Sequence, residues 1–175
     1  MIEEKLKASV RDIRDFPKPG IIFKDITPIL KDYQLCNEIV DEICERLKHD
    51  KIDIVAGIES RGFLFGMMIA QKMKVPFVPI RKQGKLPGDT ISETYDLEYG
   101  TATIEIHKDA FEAGKNILIH DDLLATGGTT AAAGSLVKKL NGNIVCFSFL
   151  IELKFLNGKE RILPFSENIL TLAEY

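Results

Sequence analysis

The feature that most constrains the fold is an alternation between short apolar segments and segments with helical signals. The apolar segments are DIVAGI (53–58), VPFVPIR (75–81), KNILIHD (115–121) and NIVCFSFLIEL (143–153). Strands that are apolar on both faces are typical of parallel sheets covered by helices. The alternation therefore predicts an α/β protein with a mostly parallel twisted sheet flanked by helices, whose ligands bind beyond the carboxyl ends of the strands.

The segments between these strands carry the helix signals. From Tyr33 onward the apolar residues recur along one helical face, and Asp32 stands in the position of an N-cap. Residues 60–73 predict a second helix, and residues 128–140 predict a third that is closed by the turn at 141–143.

Two segments follow neither pattern. Residues 82–92 include Gly84, Pro87 and Gly88 and show no hydrophobic period, which predicts a mobile loop. Residues 101–106, TATIEI, alternate between polar and apolar side chains, which predicts a strand with one buried face.

Length and charge restrict the remaining possibilities. A chain of 175 residues predicts one domain spanning 1–175, and a formal net charge of −3 gives no electrostatic reason to expect a nucleic-acid or membrane partner. Residues 1–16 lack the apolar core of a signal peptide, and no run approaches the ~20 apolar residues of a membrane span, so we expect a cytoplasmic protein. The three cysteines show no metal-ligand spacing and are expected to be small buried hydrophobes: Cys36, Cys44 and Cys146.

The stretch IHDDLLATGG places two carboxylates before a glycine pair flanked by threonines. Backbone N–H groups near a helix N-terminus bind phosphate, and glycine lets the backbone approach closely. A carboxylate only accepts hydrogen bonds, and a sugar diol can donate them. A 5-phosphorylated ribose satisfies both groups, although the pair could instead simply end a strand and cap a helix. The predicted ribose 5-phosphate site comprises Asp121, Asp122, Ala125, Thr126, Gly127, Gly128, Thr129 and Thr130.

These residues resemble the phosphoribosyl-pyrophosphate signature of the type I phosphoribosyltransferases, in the form found in members that use adenine. Three further motifs occur in the family's order, so that the resemblance covers nearly the whole chain: FPKPGIIFKDITPIL, GIESRGFLFG and VPIRKQGKLPGDTISETYDLEYGTATIEIH. The resemblance implies the family's fold, with a small hood formed by the N-terminal and C-terminal segments. It also implies a purine-salvage transferase and a homodimer.

The reaction implied by the resemblance joins adenine to the ribose of 5-phosphoribosyl 1-pyrophosphate, giving AMP and pyrophosphate through an oxocarbenium-like transition state. The implied cofactor is Mg²⁺, which would bridge pyrophosphate oxygens and ribose hydroxyls and take no ligand directly from the protein.

The resemblance also assigns the pyrophosphate site. Glu59, Ser60 and Arg61 match the family's pyrophosphate loop, which often contains a non-proline cis peptide. The basic segment that follows VPI supplies Arg81, Lys82 and Lys85. Taken alone, Arg61 is more typical of an ordinary surface charge, and only the second group of cations and the phosphate loop reverse that preference. Gln83 stands where the family commonly has a basic residue.

The segment YDLEYG matches part of the family's mobile catalytic loop. Glu98, beside Tyr99, is the candidate acid, since the purine N7 gains basicity as N9 attacks. Without the family match, Glu98 would be interpreted as a solvated glutamate in an edge strand.

The base site is also carried over from the family. Phe23 is expected to stack on adenine, backbone groups of Ile22 and Lys24 to read its edge, and Leu153 to contact its other face. Ordinary core positions remain open for Phe23 and Leu153. Lys24 replaces a frequent arginine.

Three questions stay open at this level. A 6-oxopurine or another base could replace adenine. A non-catalytic regulator that senses phosphoribosyl pyrophosphate is a second possibility, although residues 1–30 show no basic winged-helix pattern. His107 and His120 match no assignable role and are expected to be structural.

Overall fold

The computed structural model describes residues 1–97 and 100–175. The strands within these ranges are β1 (Arg11–Arg14), β2 (Ile22–Asp25), β3 (Ile54–Ile58), β4 (Phe77–Lys82), β5 (Thr90–Asp96), β6 (Thr101–His107), β7 (Asn116–Leu124), β8 (Asn143–Glu152) and β9 (Ile169–Glu174). The helices are α1 (Ile2–Ser9), α2 (Tyr33–Arg46), α3 (Gly62–Met73), α4 (Gly128–Lys139) and α5 (Gly158–Ile162).

A seven-stranded sheet in the order β5-β6-β4-β3-β7-β8-β9 forms the centre of the molecule. The five strands β4, β3, β7, β8 and β9 lie side by side in that order and each pairs in parallel with its neighbour. The strand β6 is antiparallel to both β4 and β5. The predicted mostly parallel sheet is confirmed. Because β3, β4 and β7 run in the same direction, the loops that follow them open at one edge of the sheet.

Helices cover both faces of this sheet and divide the core into two clusters. One cluster includes Ile39 of α2 and Phe65 of α3, and the other includes Leu136 of α4 and Phe147 of β8. All four side chains are fully buried. The apolar faces of these helices and of β8 are therefore the faces that folding removes from water. No helix among the described residues is both long and apolar enough to cross a membrane.

The predicted N-cap of the first predicted helix is confirmed. The Asp32 carboxylate accepts hydrogen bonds from the amides of Gln34 and Leu35, each at 3.0 Å, and α2 begins immediately afterwards. The helix α1 was not predicted, because its few apolar residues lie among charges. Cys36 and Cys146 are buried as expected, but Cys44 is only partly buried.

The predicted loop at 82–92 is shorter in the structure, and residues 83–89 connect β4 to β5. Thr90 and Ser92 pair with β6 instead, so the polar residues that suggested a loop belong to an edge strand. The predicted alternation along β6 is wrong in its centre, where Ile104, Glu105 and Ile106 are all buried. Glu105 is tolerated there because its carboxylate accepts the amide hydrogen of Gly84 at 3.1 Å.

The hood is a two-stranded antiparallel hairpin made of β1 and β2. The C-terminal segment adds its last residue to the hood, and β9 before it is an edge strand of the main sheet. Its contact with the hood is made by Tyr175, whose ring centroid lies 4.0 Å from Nζ of Lys24.

Candidate active site

The phosphate loop, residues 125–130, follows β7 at the carboxyl edge of the sheet and includes the first turn of α4. Gly127 has φ +77°, which favours glycine. A Cβ on Gly158 would overlap the carbonyl oxygen of Ala125, so α5 packs directly against this loop. The first amides of α4 have no partner within their own helix, and the loop presents them as a site for an anion.

Two aspartates precede this loop at the end of β7. Oδ1 of Asp121 accepts the amide hydrogen of Asp122 at 2.9 Å. Oδ2 of Asp122 is buried and accepts no hydrogen bond from the described residues, although Nε of Arg61 lies 3.1 Å away. Burial raises the pKa of Asp121 well above its usual value, and the neighbouring charge of Asp122 raises it further. Burial also raises the pKa of Asp122, against the opposing charge of Arg61. Burial therefore outweighs the backbone hydrogen bonds and the Arg61 charge that favour the ionised forms of the two acids.

The segment 59–61 follows β3 at the same edge, and the peptide bond between Glu59 and Ser60 is cis. Arg61 lies at the centre of the site. Besides its approach to Asp122, its guanidinium carbon lies 5.2 Å from the ring centroid of Phe23 in the hood. One arginine thus joins residues that the sequence assigned to the pyrophosphate, ribose and base sites.

Glu59 faces the second cationic cluster, which comprises Arg81, Lys82 and Lys85 and is separate from Arg61. Its carboxylate accepts hydrogen bonds from Nε of Arg81 and from the amide of Lys82, both at 3.0 Å. Arg81 also donates to the carbonyl of Lys85 at 3.1 Å. Burial would raise the pKa of Glu59, but the Lys82 amide and the Arg81 guanidinium together hold it below its usual value. Glu59 is an ionised acceptor that holds the Arg81 guanidinium and the Lys82 backbone in place.

The base-site residues come from two distant parts of the chain. In β2, the side chain of Ile22 is exposed, Phe23 is half-buried, and the ammonium group of Lys24 pairs with Asp12 at 2.7 Å. The amide of Leu153 donates to the carbonyl of Leu124 at 2.9 Å, which places Leu153 beside the start of the phosphate loop.

The candidate catalytic pair, Glu98 and Tyr99, lies outside the described residues. The flanking positions are described, and the amide of Leu97 donates to the carbonyl of Gly100 at 2.9 Å. The strand that leads to this segment is β5.

Two residues beside the phosphate loop were missed by sequence reasoning. The hydroxyl of Thr129 donates to the hydroxyl of Tyr95 at 2.9 Å. Nη1 of Arg161 lies 3.2 Å from the point that a Cβ on Gly128 would occupy. Nothing local marks either residue, because the contacts join segments that are far apart in the chain.

The donor set at this edge determines which groups it could hold. The carboxylates of Asp121 and Asp122 offer only oxygen, which suits a hard cation such as Mg²⁺. Within residues 1–97 and 100–175 there is no group of three or more histidine, cysteine, aspartate or glutamate side chains that could hold a metal ion by itself.

Comparison with known proteins places this chain in a family. Residues 24–159 match the family described as phosphoribosyl transferase domain. An adenine phosphoribosyltransferase of Cytophaga hutchinsonii is 53% identical over 100% of this chain and 97% of its own length.

Solved structures show the same likeness. An adenine phosphoribosyltransferase from Thermoanaerobacter pseudethanolicus superimposes with a TM-score of 0.95 at 46% identity and covers 100% of both chains. The enzyme from Saccharomyces cerevisiae, complexed with an imino-altritol bisphosphate and adenine, has a TM-score of 0.91 at 41% identity and covers 98% of each chain.

Proposed function

Because this chain belongs to the adenine phosphoribosyltransferase family of the type I phosphoribosyltransferases, we propose that it converts adenine and 5-phosphoribosyl 1-pyrophosphate to AMP and pyrophosphate. This reaction makes it a transferase of purine salvage. The observation that carries the proposal is the position of Arg61, within 3.1 Å of Asp122 and 5.2 Å of the Phe23 ring centroid. A substrate that contains a base, a ribose and a pyrophosphate needs its three sites to meet at one point.

The ribose 5-phosphate would lie along the edge formed by β7 and α4. Its phosphate would accept hydrogen bonds from the backbone of residues 125–130 and from the hydroxyls of Thr126, Thr129 and Thr130. Its 2- and 3-hydroxyls would donate to Asp121 and Asp122, including the buried Oδ2 atom of Asp122, which accepts no hydrogen bond from the described residues. Arg161 would add positive charge next to the same loop.

The pyrophosphate would lie between the segment 59–61 and the second cationic cluster. Ser60 and Arg61 would contact it from one side, and Arg81, Lys82 and Lys85 from the other. Glu59 would act through Arg81 and Lys82, since its carboxylate already accepts hydrogen bonds from both.

The proposed cofactor is Mg²⁺, with no ligand directly from the protein. The buried Oδ2 atom of Asp122, which has no donor among the described residues, fits a site that faces cation-bound hydroxyls. When bound, Mg²⁺ neutralises charge on the departing pyrophosphate. Asp121 and Asp122 would orient the ribose hydroxyls, and the cationic residues would hold the pyrophosphate in line.

Adenine would lie against Phe23, with the backbone of Ile22 and Lys24 reading its edge and Leu153 on its other face. Backbone recognition discriminates 6-amino from 6-oxo purines, because the wrong base leaves a buried donor or acceptor unpaired. We further propose that Glu98, assisted by Tyr99, serves as the acid near N7 of the base.

The proposed assembly is a cytoplasmic homodimer of one-domain subunits. Large apolar side chains exposed on α2 and α3, namely Tyr33, Leu64 and Met67, support an interface there. Sedimentation equilibrium should therefore give about twice the mass of one chain, and a monomer at micromolar concentration would contradict the assembly.

Pyrophosphate release is the direct test of the reaction. Purified protein would receive Mg²⁺, phosphoribosyl pyrophosphate and one base at a time: adenine, hypoxanthine, guanine, uracil or orotate. Turnover is expected with adenine. Turnover with hypoxanthine alone would change the base assignment, and binding of phosphoribosyl pyrophosphate without turnover of any base would favour the sensing regulator.

A further inference from the structure

The strand β5 is attached to α4 at two points, one near each end of the helix. Near the start of α4, Thr129 donates to the hydroxyl of Tyr95. Near its end, Nζ of Lys139 pairs with Glu93 at 2.6 Å and donates to the carbonyl of Ser92 at 3.1 Å. The position of β5 is therefore tied to the helix that begins with the phosphate loop.

Tyr95 is also close to the segment proposed to carry the acid. Only two residues separate it from Glu98 in the sequence. Cδ2 of its ring lies 3.5 Å from the point that a Cβ on Gly128 would occupy, so the ring rests on the first residue of α4. A displacement of the phosphate loop would therefore displace the Tyr95 ring and hydroxyl, and with them the nearby residue Leu97.

We propose that Tyr95 is a positioning residue that transmits occupancy of the 5-phosphate site to the segment between Leu97 and Gly100. The inference rests on the proposed function, which places the phosphate on Thr129 and the acid at Glu98. It requires no large rearrangement, because the Tyr95–Thr129 hydrogen bond already exists.

The direction of that hydrogen bond would couple phosphate binding at Thr129 to the position of Tyr95. A threonine hydroxyl has one proton, and Thr129 gives it to Tyr95 in the described structure. A bound phosphate is a stronger acceptor, so Thr129 would donate to the phosphate, and Tyr95 would donate its own proton to the Thr129 oxygen. No proton leaves either residue. The chain from Tyr95 through Thr129 to the anion is then polarised, which strengthens each bond in it.

Tyr95→Phe tests the inference because it removes only the hydroxyl. The kcat with adenine is expected to fall about tenfold or more, while the KM for phosphoribosyl pyrophosphate stays within about twofold. Thr94→Val is the matched control, since it removes a hydroxyl from the same strand whose hydrogen bond, to Thr103 at 2.8 Å, lies on the exposed surface. An unchanged kcat would refute the positioning role, and so would a higher KM at unchanged kcat, which would make Tyr95 a simple phosphate contact.

A second measurement separates this inference from the proposed function and needs no turnover. Amide hydrogen exchange at Leu97 is followed in the intact chain with and without ribose 5-phosphate, and ribose serves as the ligand control. Protection by ribose 5-phosphate is expected in the wild type and not in Tyr95→Phe, at concentrations where calorimetry shows both proteins occupied. Equal protection in the two proteins would overturn the inference even if the enzyme is active. Loss of activity with every base would overturn the proposed function but leave this comparison intact.

Discussion

The proposed phosphate side and the proposed base side of the site are built in different ways. The phosphate side, Asp121–Thr130, lies at the end of a central strand and is shaped by backbone packing, with Gly127 and Gly158 in direct contact. The base side, Ile22–Lys24 with Leu153, lies between a small hairpin and the main sheet. It is held together by side chains such as Lys24 and Arg61.

This difference indicates how each half of the ligand would be recognised. Backbone packed into a buried loop can hold a phosphate with little rearrangement, because its N–H groups are fixed by the fold. A flat, neutral base offers less charge, and its recognition depends on side chains that several elements bring together. Damage to the backbone should therefore cost more than damage to the hood.

The largest effect is expected from Gly158→Ala. The added methyl group would overlap the carbonyl oxygen of Ala125, and overpacking of this kind costs roughly 1 to 3 kcal/mol. Urea denaturation would measure this loss, and calorimetry should show weaker binding of phosphoribosyl pyrophosphate. Gly114→Ala is the control, because that site is open and only its φ of +82° is unfavourable. Tight binding preserved in Gly158→Ala would contradict the backbone explanation.

Asp121→Asn should lower activity and raise stability together. Replacing the proposed charged acceptor of a ribose hydroxyl costs about 1.5 to 3 kcal/mol of binding, or roughly a 10- to 150-fold loss in kcat/KM. The folded protein raises the pKa of Asp121, so between the unfolded value near 3.8 and the raised value the folded state binds more protons. Ionisation of Asp121 therefore lowers the free energy of unfolding as pH increases through that range.

Thermal unfolding at several pH values checks this sign. The substituted protein should have a higher Tm than the wild type at neutral pH, and this advantage should shrink towards pH 4. Asp109→Asn, at an exposed carboxylate, is the matched control. A lower Tm at neutral pH would mean that the Asp121 carboxylate stabilises the free protein.

Phe23→Leu examines the base side. Loss of the stacking ring should raise the KM for adenine about fivefold, in line with roughly 1 kcal/mol for stacking on a neutral ring. The KM for phosphoribosyl pyrophosphate should change less, although Arg61 also loses its aromatic neighbour. Phe155→Leu, at a side chain that is 73% exposed, is the control for general loss of an aromatic ring. Equal changes for the two substrates would show that the two sides are not separable.

The smallest effect is expected at Tyr175. Its hydroxyl is buried with no hydrogen-bond partner among residues 1–97 and 100–175, so Tyr175→Phe should change the free energy of unfolding by less than about 0.5 kcal/mol. Tyr175→Leu removes the ring beneath Lys24 and should roughly double the KM for adenine. An equal KM for the two variants would mean that this ring does not position the hood.

Local signals explain why much of the fold could be predicted. The cap at Asp32 and the buried strand at 54–58 each depend on neighbours within a few positions, and both are confirmed. The polar segment at Thr90–Ser92 was misassigned as a loop. It is a strand because it pairs with β6, and a pattern within the segment itself does not show that pairing. The same limit explains why Tyr95 and Arg161 were missed.

By itself the sequence determined which chemical groups are available at the sheet edge: a glycine-containing turn, paired acids, and cations in two separate segments of the chain. These depend on residue type and short spacing. Only the tertiary structure decided which of these groups meet. Arg61 lies between Asp122 and Phe23, and Tyr95 lies on Thr129, because parallel strands bring distant loops to one edge and side-chain packing fixes their separation.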